Sequence, residues 1–345
     1  MHSLMTDGAS VAKEAAPPPQ AQLREIPVGF WRDRALTVAA ELEIADHLAP
    51  QPLHVDELAT RTKTNAGSLF RLLRALESIG IFKQVSPRVF ANTEMSECLR
   101  KDISGSQWAL IQLNSPGGGS FEAWAGLLSA IQTGQTAFNQ VNGCSRFEFL
   151  RRNPEKAEIF NRAMRSLSTT VTPLLTAAYE WNRFPLIADI GGGIGTQLVD
   201  ILNAHPHCKG ILFDQPQVIA QAIRHDRIEN ISGNFFERVP SEADAYVLRL
   251  VIHDWDDAEA VRILKTVRAA AKPESRVIVI ELIIDDAPGN AFSKWSDLLM
   301  MVTVGGQERT AVEYRQLLEE ADLEVEQIVP TPAGLKLIVG RPRTS

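Results

Sequence analysis

Apolar positions between residues 23 and about 99 recur with the spacing of helices, over 30–48, 55–60 and 65–79, with Arg61-Thr62-Lys63-Thr64 as the turn between the last two. After Gly80 the pattern shortens, and 81–85 and 88–92 flank Ser86-Pro87 as a small β-hairpin. Two short helices, a turn and a hairpin predict a winged helix-turn-helix over 23–105. Residues 106–182 continue helical, and their Ser115-Pro116-Gly117-Gly118-Gly119 reads as a helix-joining loop because no strand precedes it. From Phe184 the period changes: strands are expected at 186–190, 210–213, 228–232, 245–251 and 276–281, with amphipathic helical stretches such as 195–204 and 257–272 between them. That alternation predicts an α/β, doubly wound, mainly parallel sheet over 183–345. The last connection differs. Segments 323–329 and 335–340 are joined by Pro330-Thr331-Pro332-Ala333-Gly334, too short for a crossover helix, so the final strand should run antiparallel. Residues 1–22, rich in Ala, Pro, Gln and Ser, are expected to be a mobile tail.

Composition narrows the partners. A chain of 345 residues predicts about two domains, and 45% apolar with 22% charged residues is the profile of a soluble globular protein. With 35 basic against 42 acidic residues the net charge is −7. Arg61, Lys63, Arg71 and Arg74 are few cations for a DNA-binding wing in an acidic chain, so a dimerisation role is the preferred reading and no nucleic-acid partner is expected. Cys98, Cys144 and Cys208 lie far apart without a C-x-x-C, which fits a reducing, cytoplasmic setting and gives no zinc site. No apolar run is long enough for a membrane span, and no signal peptide is expected.

The candidate chemistry starts where strand 186–190 enters Gly191-Gly192-Gly193-Ile194-Gly195 and then a helix near Thr196. Glycines let a ligand approach the main chain. A dinucleotide fingerprint needs Gly-x-Gly-x-x-Gly, but Thr196 stands where its third glycine would fall, and no Gly-Lys-Ser/Thr follows. The loop therefore suits a nucleoside ligand without a pyrophosphate, S-adenosyl-L-methionine above others. Ligands of doubly wound sheets sit beyond the carboxyl ends of the strands, which singles out Asp189, Asp214 as a ribose acceptor with a helix cap as its alternative, and Asn234-Phe235 as an adenine contact. Strand four runs into His253-Asp254-Trp255-Asp256-Asp257, where a histidine precedes an acidic helix start. Asp256 and Asp257 fit a helix cap better than metal ligands, so no metal is expected. His253 is the candidate general base, and Glu281, at the end of the neighbouring strand, is placed to fix its tautomer.

These motifs, with Phe213-Asp214-Gln215-Pro216, Gly233-Asn234-Phe235-Phe236 and Gly305-Gly306-Gln307-Glu308-Arg309-Thr310, occur in an order and spacing that resembles the caffeate-type and hydroxyindole O-methyltransferases and their bacterial relatives in antibiotic tailoring. The resemblance spans about 25–340. It implies a seven-stranded methyltransferase sheet with a reversed last strand, an N-terminal domain that forms a homodimer, and a small hydroxylated aromatic acceptor. It places Asp189 and Gly191 by the methionine moiety, Asp214 by the ribose, Asn234 and Phe235 by adenine, and Arg249 beside the cofactor, with Gly193 and Gln215 as further cofactor-binding residues. His253 matches the family's base and Glu281 with Glu308 the acids that hold it. Asp254 matches an acid close to the acceptor and the Phe160–Met164 segment a wall of its pocket, and Trp255 and Met301 are expected to close the same apolar pocket with Phe160 and Met164. Asn234 stands where the family often has Asp, and Thr303-Val304 replaces the Asn-Pro of many plant members, which turns the expectation away from plant phenylpropanoids.

The activity these residues imply is methyl transfer to a hydroxyl, phenolic in the preferred reading. Methylation of nitrogen, or a drifted reaction on the same scaffold, stays open at this level, as do a cofactor-sensing DNA-binding regulator and an NAD(P) oxidoreductase.

Overall fold

Pro18 is extended and Pro19 sits in the first turn of α1 (Pro19–Glu41), where a fixed φ suits the helix and the missing N–H would have had no partner. The computed structural model describes residues 17–285 and 291–343. The expected tail thus lies outside the described residues up to 16, and its last four residues, 19–22, are helical. The continuous helix expected over 30–48 is broken: Glu43 takes a left-handed φ of 52°, and α2 (Ile44–Leu48) starts after it.

The first unit, Met1–Glu97, continues with β1 (Leu53–His54), α3 (Val55–Thr62), α4 (Ala66–Glu77), β2 (Phe82–Ser86), β3 (Val89–Asn92) and α5 (Glu94–Glu97). Side chains cap both central helices: His54 accepts from Asp56 N–H at the start of α3 and Asn65 from Ser68 N–H at the start of α4. The β2–β3 hairpin is the expected wing, and the short β1 adds to it in the order β1-β3-β2. Two of the cations that a DNA reading needs are engaged at home, Arg61 with Glu57 at 2.5 Å and Arg74 over the Phe70 ring.

The second unit, Cys98–Ser345, joins the helical stretch to the sheet. Its helices are α6 (Trp108–Gln112), α7 (Ser120–Ala125), α8 (Leu127–Thr133), α9 (Ala137–Asn142), α10 (Arg146–Arg152) and the long α11 (Pro154–Ala177). The Ser115–Gly119 segment does join two helices, α6 and α7, with Gly117 and Gly119 at positive φ. Within this unit α11 is tied to the sheet region: Thr172 donates to the Asp200 carboxylate and Arg249 to Ser168 Oγ.

After α11 come β4 (Leu186–Ile190), α12 (Thr196–Ala204), β5 (Lys209–Asp214), α13 (Pro216–Ile219), β6 (Ile228–Ser232), β7 (Ala245–Arg249), α14 (Asp257–Ala270), β8 (Arg276–Glu281), β9 (Ile283–Ile284), α15 (Ala291–Thr303), β10 (Arg309–Thr310), α16 (Ala311–Glu320), β11 (Leu323–Pro330) and β12 (Lys336–Pro342). Seven strands form one sheet in the order β11-β12-β8-β7-β4-β5-β6, and β12 is antiparallel to both neighbours. The reversed strand is therefore inserted between β11 and β8, with β11 at the edge. Both faces are covered. Ile187, Val247, Ile278 and Leu337 pack with Trp181 and Leu198 on one side, while Ala188, Leu248, Val279 and Ile338 pack with Leu264 and Tyr314 on the other. Alternate side chains of a strand point to opposite faces, so apolar residues at every position of these strands require two covering layers.

Ile278→Ala and Ile338→Ala remove fully buried side chains from opposite faces of neighbouring strands. Each is expected to cost about 2–5 kcal/mol in urea unfolding. A loss at only one of the two positions would contradict a sheet covered on both sides.

Candidate active site

Leu250, in the left-handed region at φ 53°, turns the chain sharply out of β7 and aims three successive backbone N–H groups at one oxygen. That oxygen is Oε1 of Glu281, at the end of the adjacent β8, which accepts from Val251, Ile252 and His253 N–H at 3.1, 2.9 and 3.3 Å. A carboxylate held by three amides offsets the strain of a non-glycine residue in that region. The following single 3-10 turn, Ile252–Asp254, presents the His253 side chain.

His253 Nδ1 lies 3.0 Å from Glu308 Oε1 and 3.7 Å from Glu281 Oε2, while Nε2 faces Asp254 Oδ1 at 3.7 Å. Glu308 is fixed in turn by Ser296 of α15, whose hydroxyl donates to Oε1 at 2.7 Å, and Glu308 N–H donates to Asp297. Burial alone would lower the pKa of the imidazole. The Glu281 carboxylate, the hydrogen bond to Glu308 and the charge of Asp254 outweigh it and push the pKa up to about 10. Burial acts on Glu281 in the opposite sense and lifts it to about 7 against the pull of His253. His253, Glu281 and Glu308 bring ligand atoms within 4.8 Å of one another, a spacing that a divalent cation also accepts. The Oε1 atom of each glutamate accepts hydrogen bonds, from the 251–253 amides at Glu281 and from Ser296 at Glu308, while Oε2 of each is buried without a hydrogen-bond partner.

The loop ahead of β10 locks this turn from outside. Gln307 N–H donates to His253 O at 2.9 Å, and a Cβ added at Gly306 would stand 1.9 Å from the same oxygen. Arg309, 1% exposed, donates to the carbonyls of Ile252, Trp255 and Gln307 and to the Asp257 carboxylate. Sequence reasoning quoted Gly306 and Arg309 as part of a motif and gave neither a role. Asp256 caps α14 by accepting from Glu259 N–H, as its position before an acidic helix start implied.

Next to that turn, at the end of the neighbouring strand β4, Gly191, Gly193 and Gly195 all take positive φ, and a Cβ added at Gly191 would stand 2.9 Å from Val251 Cγ2. Nothing lies within 4 Å of a Cβ added at Gly193, whereas one at Gly192 would meet the Asp189 carboxylate at 2.5 Å, so that carboxylate lies tucked against the loop. Burial lifts Asp189 to about 7 although Arg249 opposes it. Arg249 Nη2 donates to Ser168, but its Nη1 is buried without a hydrogen-bond partner. Asp214 does not cap the helix that follows it, since Gln215 is the cap residue of α13. Its two oxygens instead accept from Gly193 and Gln215 N–H at 2.8 and 2.6 Å, which ties the loop to the end of β5. Asn234 is occupied locally, accepting from Phe236 N–H and donating to Glu237. Phe235 lies 3.7 Å from the Cβ position of Gly191 and meets Trp255 edge to face.

The acceptor residues expected from sequence converge only in part. Trp255 stacks on Phe147 of α10, with centroids 6.3 Å apart, and so connects the turn carrying His253 to the helical layer. Phe160 packs under the Arg146 guanidinium, and Met301 joins Phe138 and Phe149 in a cluster of that layer. Met164 is half-buried on α11. Arg146, Phe147, Ser168 and Ser296 were missed, because helical periodicity marks a buried face without saying which neighbour lies across it.

Comparison with known proteins decides the family. The family model for the O-methyltransferase domain matches residues 124–324, and that for the O-methyltransferase dimerisation domain matches residues 25–102. The chain belongs to the S-adenosylmethionine-dependent O-methyltransferases. It is 36% identical over 337 residues to phenazine O-methyltransferase PhzM of Lysobacter antibioticus, covering 96% of this chain and 98% of that protein. It is also 36% identical over 325 residues to the mitomycin biosynthesis 6-O-methyltransferase of Streptomyces lavendulae, covering 92% and 93%. The O-methyltransferase NcsB1 of neocarzinostatin biosynthesis, solved with S-adenosylmethionine and 2-hydroxy-5-methyl naphthoic acid, superposes with a TM-score of 0.81 at 30% identity, covering 95% of this chain and all of that one.

In this O-methyltransferase the Gly306→Ala variant is expected to displace the backbone of His253, because the clash is with a carbonyl rather than a yielding side chain. A displacement of about 1 Å costs on the order of 10²-fold in kcat/KM. Steady-state kinetics beside S-adenosylhomocysteine binding checks it, and normal turnover would contradict this account of Gly306.

Proposed function

We propose that this enzyme methylates a phenolic hydroxyl of a small aromatic metabolite, with His253 as general base held by Glu281 and Glu308. The observation that carries the reading is the buried imidazole between two carboxylates on its Nδ1 side, with Nε2 on the other. S-adenosylmethionine, when bound, supplies an electrophilic methyl group on a positively charged sulfur. The loop fits it: Asp189, Gly191 and Gly193 would hold the methionine moiety, Asp214 and Gln215 the ribose, and Asn234 with Phe235 the adenine. The unpartnered Nη1 of Arg249 offers a donor for an anionic group of the same ligand.

Proton transfer sets the energetics. From a phenol of pKa about 10 to an unperturbed histidine of about 6.5, it is uphill by about 5 kcal/mol. At about 10 the imidazole matches the oxygen it deprotonates, so the transfer itself is close to level. The cost moves to an earlier step, in which His253 gives up its proton before the acceptor's hydroxyl arrives. Glu281 and Glu308 then stabilise the imidazolium that forms beside the phenolate. Asp254, Trp255, Phe160, Met164 and Met301 are the residues proposed to line the acceptor and keep water away from it.

The same reading extends to assembly. Leu23, Ile26, Phe30 and Trp31, each more than half exposed, form a stripe along α1 inside or next to the matched dimerisation domain, and a second copy of this chain is its proposed cover. No helix among the described residues is long and apolar enough to cross a membrane.

His253→Ala is expected to lower kcat by about 10²–10⁴-fold while leaving S-adenosylhomocysteine affinity nearly intact. Labelled-methyl transfer to a panel of phenols and their O-blocked counterparts tests the nucleophile, and methylation of O-blocked acceptors would overturn the hydroxyl reading. The pH profile tests the base. A raised pKa keeps His253 protonated at neutral pH, so kcat/KM should climb with pH through a limb above 6.5. Glu308→Gln removes a negative charge and a hydrogen-bond acceptor that raise that pKa, and should shift the limb to lower pH. An unmoved limb would remove His253 from the role.

A further inference from the structure

Two oxygens at the active site are left over by its hydrogen bonds. Oε2 of Glu281 and Oε2 of Glu308 are buried with no hydrogen-bond partner, although Oε1 of the same residues takes the 251–253 amides and Ser296. Both side chains are fully enclosed, and Glu281 Oε2 faces His253 Nδ1 from 3.7 Å. Among the described residues, His253, Glu281 and Glu308 are the one group of histidine, cysteine and acids whose candidate ligand atoms all lie within 4.8 Å of one another. Asp256 and Asp257, the acids weighed as metal ligands from sequence, stand outside it, one capping α14 and the other held by Arg309.

Zinc binds imidazole nitrogen and carboxylate oxygen at about 2.0–2.2 Å in a tetrahedron, which sets neighbouring ligand atoms about 3.4 Å apart. Nδ1 stands 3.0 Å from Glu308 Oε1 and 3.7 Å from Glu281 Oε2, on either side of that value. Charge agrees with geometry. An imidazolium between two carboxylates leaves a negative charge uncompensated in a buried site, whereas a dication with a neutral imidazole leaves none. A nitrogen with two carboxylates suits a first-row transition cation, while magnesium and calcium favour shells made of oxygen alone. The way in is along the imidazole, whose side chain is 11% exposed against 0% for both carboxylates.

We propose that His253, Glu281 and Glu308 form a site for a divalent transition-metal cation, zinc being the matching probe, and that its occupation silences the base. The effect on turnover rests on the reading of His253 given above; the site itself does not. A neutral imidazole has one proton and one free lone pair. The cation takes the lone pair of Nδ1, so the remaining proton sits on Nε2, and the second proton of an imidazolium leaves to solvent. Nε2 is then a donor, turned toward Asp254 Oδ1 at 3.7 Å, and accepts nothing from a hydroxyl. The cofactor loop supplies none of the ligands, so cofactor affinity is not the target.

The test is calorimetric titration of the full-length enzyme, freed of metal by a chelator and loaded with S-adenosylhomocysteine, with zinc chloride. One zinc per chain is expected to bind with a micromolar or tighter Kd. Glu281→Gln, Glu308→Gln and His253→Ala should each weaken it at least about tenfold, and unchanged S-adenosylhomocysteine affinity shows that each variant is folded. His207→Gln should leave zinc binding as it is; it removes the imidazole whose Nε2 lies 3.6 Å from Cys208 Sγ, a rival nitrogen and sulfur pair. Magnesium chloride at the same concentration should not bind. Absence of zinc binding, binding that survives both glutamine variants, binding lost in His207→Gln, or equal binding of magnesium overturns the site. Labelled-methyl transfer is followed in parallel, and zinc is expected to stop it at the occupancy that calorimetry gives, with recovery on adding EDTA. Binding that depends on the three residues without loss of transfer supports the cation site and counts against His253 as the base.

Discussion

The carboxylate of Glu281, fully buried at the end of β8, is the constraint on which the active site depends. A single oxygen gathers three consecutive amides of the 251–253 turn, and the other lies by the imidazole those amides position. Backbone shape and side-chain charge are thus set by one group. The turn begins at a left-handed Leu250, which no local interaction would favour, so its conformation relies on the neighbouring strand. That strand is in register because β7 and β8 are parallel and paired from Ala245↔Arg276 to Arg249↔Ile280.

The remaining supports come from far along the chain. The 305–309 loop closes over the carbonyl of His253, Arg309 gathers three more carbonyls, and Ser296 with Asp297 aligns Glu308. Buried carbonyls need donors, and a buried carboxylate needs a proton, a cation or amides. The Glu281 carboxylate accepts from amides 28 or more residues away and the His253 carbonyl is met by Gln307, while Ser296 and Asp297 reach Glu308 across 12 and 11 residues, so the His253 turn is held by the fold and not by its own segment. The same logic holds at the glycine loop, where Asp214 accepts from Gly193 N–H across 21 residues.

The helical layer acts differently. It offers ring faces and cations rather than a hydrogen-bond lattice, and it meets the sheet domain through Phe147 on Trp255 and Arg249 on Ser168. Contacts of this kind define a shape and a charge without fixing a reaction.

The sequence by itself determined the strands, because apolar runs of five or six residues between turn signals have few other ways to be buried. It also determined the reversed last strand, since a five-residue connection cannot cross a sheet, and it singled out His253, Glu281 and Asp214 because strand ends are where side chains leave the core. Local signals were misleading where a backbone detail intervened, as at Glu43, which breaks a periodic helix. Only the tertiary structure decided that Gly306 must lack a side chain and that Arg309 braces the His253 turn. Those facts concern distances between segments with no common periodicity, and a one-dimensional pattern records which face of a helix is buried but not what it is buried against.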